Sequence, residues 1–330
     1  MGKYLGRRLF HSVIVLWGAA TLVFVILHLS PGDPAVNLVG ESATEEQFAL
    51  VRKSLGLDQP LHQRYLTYLG NLIRGDLGKS WFVGQSTVDM LLERLPDTLE
   101  LTITAALFGI PIAIALGVLS AVWRGTYLDY MANFSALFGI STPNFWLGVM
   151  LILLFAVELR WLPAMGRGPD FTLVIKDLFH GNPETFLQWA RHIVLPAITL
   201  GTWLMAIITR LTRTDILENL GRPYVMVARA KGMSRGGVIL HHVLPNSMIS
   251  VTTIIGLEVG ALLGGAIVTE AVFGWPGMGR LLIESINRRD YPVIQAGVLM
   301  TAFIFVFVNI LIDLLYVYLD PRIRLDNKEN

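Results

Sequence analysis

The chain has 330 residues, 53% of them hydrophobic and 15% charged, and its 26 basic and 25 acidic side chains leave a formal net charge of +1. A soluble domain carries about 25% charged residues, so an ordinary globule is excluded, as are disorder, by the apolar content, and nucleic-acid binding, by the want of a basic excess. The absence of cysteine removes disulfide scaffolds, thiolate metal sites and cysteine nucleophiles, and leaves an integral membrane protein.

A helix crossing the hydrocarbon layer takes about 20 mostly apolar residues. Six stretches reach or approach that length: 9–29, 99–123, 131–157, 192–208, 248–272 and 293–319. The expected fold class is all-α, with six transmembrane helices. The first span follows Lys3, Arg7 and Arg8, but it is too long for a signal peptide. It ends in Ser30-Pro31-Gly32-Asp33-Pro34 without a small-residue cleavage pattern, and so reads as a retained helix. Residues 30–98 form a large loop region with helical stretches of its own, one of them opened by Thr44 with Gln47 three residues on, a capping-box spacing. Within it, Gly75-Asp76-Leu77-Gly78-Lys79-Ser80 ends like a phosphate-binding loop. The first glycine of that pattern falls on Ile73, however, and no strand precedes it, so no nucleotide site is expected.

A short turn, 124–130, leads to the long third span, in which Asn144, Phe145 and Trp146 follow Pro143. Asn144 and Trp146 are candidate pathway residues; helix kinking and interface anchoring account for them equally. Another loop, 158–191, precedes the fourth span, the shortest of the six. Residues 209–247 then read as a helix over 223–231 ended by Gly232, which can take the left-handed cap conformation. A turn and a second helix, stopped by Pro245, complete the segment. Small Ala228 and Ala230 allow another surface to approach, and Arg229, Lys231 and Arg235 put charge at its rim. A solvated loop rich in Arg and Lys is the plainer alternative. His241 and His242 diverge by about 100° on a helix and so do not make a metal pair; contact with lipid headgroups or a partner protein suits them better.

The fifth span carries Gly256, Gly260 and Gly264 at a spacing that lets helices pack closely. Glu258 stands between the first two, and an ionisable group at mid-membrane usually faces a cavity or a partner. It is the candidate for lining a translocation path and meeting a cationic group such as a peptide amino terminus. After this span, Phe273–Arg280 contains Trp275, Pro276 and Gly277 in a rigid turn, expected to contact an external partner or to guard the outer mouth. Asp313 lies so near the end of the sixth span that it receives no transport role.

The expected organisation is an N-terminal segment 1–8, the first span 9–29, an external region 30–98, a core 99–319 with an inner loop 209–247, and a tail 320–330. With the N-terminus inside, the short inner pieces carry about 13 basic and 6 acidic residues. The outer loops carry as many basic residues over nearly twice the length and more acidic ones, which places both termini in the cytoplasm.

The segment from Tyr224 to Pro245 resembles the cytoplasmic coupling loop of ATP-binding-cassette importer permeases, E-A-A-x3-G-x9-I-x-L-P. It keeps Ala228, Gly232 and Leu244-Pro245, and departs at Met226, Val227 and His242. The run Ala-Arg-Ala-Lys-Gly-Met-Ser is similar to the dipeptide/oligopeptide/nickel branch. So are Arg7-Arg8, Pro31-Gly32-Asp33-Pro34, Gly56-Leu57-Asp58-Gln59-Pro60, Gly75-Asp76-Leu77-Gly78, Pro143–Trp146, Thr269–Arg280, Arg288–Pro292 and Asp320-Pro321-Arg322.

The resemblance implies a permease half in the inner membrane of a bacterium or archaeon. Its partners would be a second homologous permease, two cytoplasmic ATPases and an external solute-binding protein. It implies that Tyr224, Ala228, Arg229, Ala230, Lys231, Gly232, Leu244 and Pro245 form the ATPase-coupling element between the fourth and fifth helices. No cofactor is expected on this chain; ATP and Mg would sit on the partner ATPases. Di- and oligopeptides are the expected cargo, with nickel, glutathione and oligosaccharide as alternatives. A stand-alone secondary carrier would want chained membrane acids and repeat symmetry, and an intramembrane enzyme a clustered nucleophile or metal set; neither pattern is found.

Overall fold

The computed structural model describes residues 2–40 and 44–319, with side chains described for 6–40, 44–248 and 250–312. The tail with Asp320-Pro321-Arg322 and the side chain of Asp313 lie outside the described residues. In chain order the helices are α1 (Gly2–Leu29), α2 (Pro34–Val39), α3 (Glu45–Ser54), α4 (Leu61–Ile73), α5 (Thr87–Val122), α6 (Tyr127–Ser141) and α7 (Asn144–Leu151), which runs into a π-helical turn at Ile152–Glu158. They continue as α8 (Phe171–Phe179), α9 (Glu184–Leu220), α10 (Pro223–Ala230) and α11 (Arg235–Val238), then a second π-helical turn at Ile239–Val243. The last are α12 (Leu244–Phe273), α13 (Met278–Arg288) and α14 (Tyr291–Leu319). Among the described residues there is no strand, only an isolated bridge between Lys79 and Ser86.

Five helices are long and apolar enough to cross a membrane, and α6 with α7 and its π turn makes a sixth if counted as one span. This pair corrects the expectation of an unbroken third span, because it bends by 109°. Pro143 offers no N–H and drives the preceding residue out of the helical region; Thr142 is extended, at φ −91° and ψ 124°. The fourth span belongs to a longer helix than its apolar stretch. It is the middle of the 37-residue α9, whose flanks carry Arg191, Arg210, Arg213 and Asp215 and so escape a count of apolar residues. Pro245 does not stop a helix either: it stands in the first turn of α12, where a missing N–H costs little, and the π turn before it absorbs the irregularity.

Two compact units are distinguished, Met1–Asp97 with Pro276–Phe307 and Thr98–Trp275 with Val308–Asn330. In the first, Thr44 opens α3 with the expected capping box, accepting from Gln47 N at 3.4 Å while Gln47 Oε1 accepts from Thr44 N at 3.0 Å. Apolar clusters form around Val23, Tyr291 and Ile294 and around Leu91, Met278 and Ala296. The segment that resembles a phosphate loop has a structural use here. Ser80 Oγ donates to buried Asp290 at 2.5 Å and accepts from Val83 N at 3.0 Å.

In the second unit α9 is the central helix, packed against α6, α7, α8 and α12. Its buried side chains Trp189, Leu200, Leu204 and Ile208 join Leu101, Leu262, Ala266 and Trp275 in one core. Small residues bring α5 and α9 together: a Cβ on Gly117 would stand 2.8 Å from Thr209 O, and Thr209 Oγ1 donates to Ala113 O at 3.2 Å. Glu100 accepts from Trp189 Nε1 at 2.5 Å and pairs with Arg167.

Candidate coupling surface and pathway residues

The segment between α9 and α12 is built from the ends of several helices. Pro223 opens α10, and its backbone stops at Gly232, which adopts φ +82°. Gly232 N donates to Arg229 O at 2.9 Å and Met233 N to Ala228 O at 3.3 Å, closing the helix in the manner of a glycine cap. Val225 and Ala228, three residues apart, share one face and are buried with Ala121, Ile216, Val238 and Val243. The other face is exposed and carries Met226 and Val227, at 66% and 55% exposure, with Arg229, Ala230, Lys231 and Gly232. The small size of Ala228 therefore serves the approach of α10 to its own chain; Ala230 is the small residue left outside. Leu244 is half-buried against the same cluster and Pro245 is exposed.

Polar ties hold this element to its neighbours. Tyr224 Oη donates to Asn219 Oδ1 at 2.9 Å, and Asn219 Nδ2 donates to buried Ser247 Oγ at 3.1 Å. Arg235 donates to Val122 O at 2.5 Å. The ends of α5 and α9 and the start of α12 thus meet at α10 and the turn after it. His242 Nε2 lies 3.3 Å from Met233 Sδ and His241 Nδ1 lies 3.1 Å from Gly237 O. No group of metal-ligating side chains is found among the described residues.

Sequence reasoning missed Asp129 and Arg213. Asp129 is 4% exposed and takes both arms of the Arg213 guanidinium, at 2.7 and 2.9 Å. Ser120 Oγ donates to the same carboxylate at 2.5 Å, Asn133 Nδ2 at 2.7 Å and Gly125 N at 2.9 Å. This carboxylate fastens the turn between α5 and α6 to α9. An aspartate in a short turn between two apolar spans was the available signal, but its partner lies 84 residues away.

The pathway candidates fall in the second unit. Glu258 is half-buried on α12 between buried Gly256 and Gly260, whereas Gly264 has nothing within 4 Å of an added Cβ. The close approach is at Gly265, beside Leu200 and the Asn144 amide. Trp146 is 44% exposed on α7, a helix that packs against α12. Trp275 is not the exposed tip expected of the turn. It is fully buried in the core with Trp189 and Leu262, so it is not an aromatic tip available to a partner. Pro276 is half-buried, its carbonyl accepting from Arg94 at 3.3 Å, and Gly277 is buried at the start of α13. The glycines let the chain turn tightly enough to bury the indole.

Comparison with known proteins matches residues 113–325 to the binding-protein-dependent transport system inner membrane component family and residues 1–102 to its N-terminal component. The dipeptide transport system permease protein of Alkalihalophilus pseudofirmus is 43% identical, the alignment covering 98% of this chain and all of that protein. The glutathione transport system permease protein of Escherichia coli is 40% identical over 98% of this chain and 99% of its own length. Among solved structures, an inward-facing form of the MetNI methionine ABC transporter aligns with TM-score 0.55 at 18% identity, covering 70% of this chain and 96% of that one. That last likeness is one of fold.

Proposed function

The chain belongs to the binding-protein-dependent transport system inner membrane components, multi-pass permeases of ATP-binding-cassette importers, and from this membership we propose that it forms half of the pathway of a dipeptide importer. The other half is a second, homologous permease. Two cytoplasmic ATPases hold the ATP and Mg, an external binding protein delivers the solute, and both termini of this chain face the cytoplasm. The relatives' named cargoes support peptides, glutathione being itself a small peptide.

The observation that carries the coupling role is the exposed face of α10, an apolar pair rimmed by Arg229, Lys231 and Arg235 on an element tied to three other helices. In this reading Met226, Val227 and Ala230 seat in a groove of the ATPase, with the basic residues at the rim. Tyr224, Ala228, Leu244 and the glycine cap at Gly232 hold the element in shape. A partner shifts a two-state equilibrium only by contacts that differ between the states. A displacement of α10 reaches α9 through the Tyr224–Asn219 bond and, beyond it, α12 through Asn219 and Ser247, while α11, next in the chain, is tied to α5 through Arg235. Glu258 then lines the path and receives the cationic amino terminus of the peptide, with Asn144 and Trp146 as further pathway residues.

The test is reconstitution of the whole complex with its binding protein against a panel of dipeptides, tripeptides including glutathione, nickel chelates and oligosaccharides. Dipeptides should stimulate ATP hydrolysis and accumulate; stimulation only by a non-peptide solute would contradict the reading. In the same preparation Glu258→Gln should lower uptake and weaken the preference for a free amino terminus. Unchanged rate and selectivity would remove Glu258 from the path.

A further inference from the structure

In the first unit, a cavity of about 360 Å³ lies between the end of α1, α4 and the start of α14, within the size range of small-ligand sites. The rings of Phe24, Trp81 and Tyr291 form apolar walls; Trp81 and Tyr291 lie 5.4 Å apart, and Phe24 stacks on Tyr68 at 5.6 Å. Arg64 lines the same space, half-buried, and among the described residues its side chain has neither a carboxylate nor a hydrogen-bond partner. Tyr68 Oη is enclosed and likewise has no hydrogen-bond partner. Burial pushes this phenol up to about 12, so it stands as a neutral donor. The acid in the lining, Asp76, is exposed and already accepts from Gly78 N at 2.9 Å.

Buried polar groups are normally paired; among the described residues Tyr68 Oη and His28 Nε2 are enclosed here without a partner, and the half-buried Arg64 guanidinium, a planar cation, lines the same space. A guanidinium matches a carboxylate in two parallel bonds. Flanking rings suit the apolar side chains of a peptide, and the Asn71 amide in the wall suits its backbone. We propose that this cavity binds the free carboxylate end of a short peptide, with Arg64 as the partner of the carboxylate. The inference rests on the peptide-importer reading and adds to it a site for the end of the cargo opposite to the one assigned to Glu258.

The test uses the assembled complex in lipid nanodiscs without its binding protein, with alanyl-alanine and alanyl-alanine amide as probes and saturation-transfer NMR as readout. The free acid should bind about ten-fold or more tightly than the amide, as expected for one charge-assisted pair. Arg64→Gln should bring the acid to the level of the amide, and Arg64→Lys should fall between. Equal binding of acid and amide to the unaltered complex would overturn the proposal, as would an Arg64→Gln complex that still prefers the acid. If Arg64→Gln leaves peptide binding intact but lowers ATP hydrolysis stimulated by the binding protein, the residue meets a protein carboxylate instead and the proposal fails. Failure of the importer reading is seen separately, as an unaltered complex that takes up no dipeptide when the binding protein is present.

Discussion

Asp129 is held by five donors, and Arg213 supplies two of them. Removing one partner of a buried ion pair leaves the other desolvated and uncompensated, at a cost of about 3–5 kcal/mol. Asp129→Ala should therefore destabilise the protein by that order in denaturant titrations. Replacing both charges, as in Asp129→Ala with Arg213→Met, should recover most of the loss, because no charge is then left buried. Additive losses in the double variant would mean that the pair itself supplies little. Arg64 presents the reverse situation, a half-buried cation with no partner among the described residues, and for that reason it is read as facing a ligand. Trp275 warns against reading a residue by type: an indole in a turn of glycines suggested a contact, and its complete burial makes it part of the core.

At the scale of one helix, α10 gives two substitutions of the same chemistry with opposite consequences. Val225→Asp puts a carboxylate into the cluster with Ile216 and Val243, where burial of an unpaired charge is expensive, and the variant should be poorly inserted or unstable. Val227→Asp changes only the exposed face. The permease should assemble in the membrane at normal levels and melt normally, while uptake and ATPase stimulation fall at least ten-fold. Equal loss of stability in both variants would show that the helix has no free face.

Much of this element was legible beforehand. The proline start, the glycine stop and the capping box at Thr44 are local signals, fixed by backbone hydrogen bonding within a few residues. The face of α10 was not read, although the three-residue spacing of Val225 and Ala228 contained it. The break in the third span was legible only in part: Pro143 allowed a kink, but residues on both sides of it are equally apolar and hydropathy carries no direction, so the 109° bend could not be read from it. Asp129 with Arg213, and Arg64 with Tyr68 beside Trp81 and Tyr291, depend on residues far apart in the chain. No local pattern announces such meetings.

For the whole molecule, the permease has to favour one of two states according to what its partners do. Driving an equilibrium from 1:99 to 99:1 requires a difference in binding of about 5.5 kcal/mol between the two states. A few exposed side chains on one short helix suffice only if that helix is rigidly held. The hydrogen bond from Tyr224 to Asn219 and the burial of Val225 and Ala228 against Ile216 and Val243 hold α10 to its unit, while Asn219 to Ser247 and Arg235 of α11 to Val122 fasten the neighbouring ends of α9, α12 and α5. The absence of cysteine from the natural sequence makes the contact easy to probe. A single cysteine at Val227, carrying a photoactivatable maleimide and placed in the assembled complex, should form its adduct with the nucleotide-hydrolysing subunit. The yield should change between nucleotide-free and ATP-bound preparations. An adduct with the external binding protein or with lipid alone, or labelling of that cysteine by an impermeant maleimide added outside intact cells, would contradict the assignment of α10 as the element through which the importer is driven.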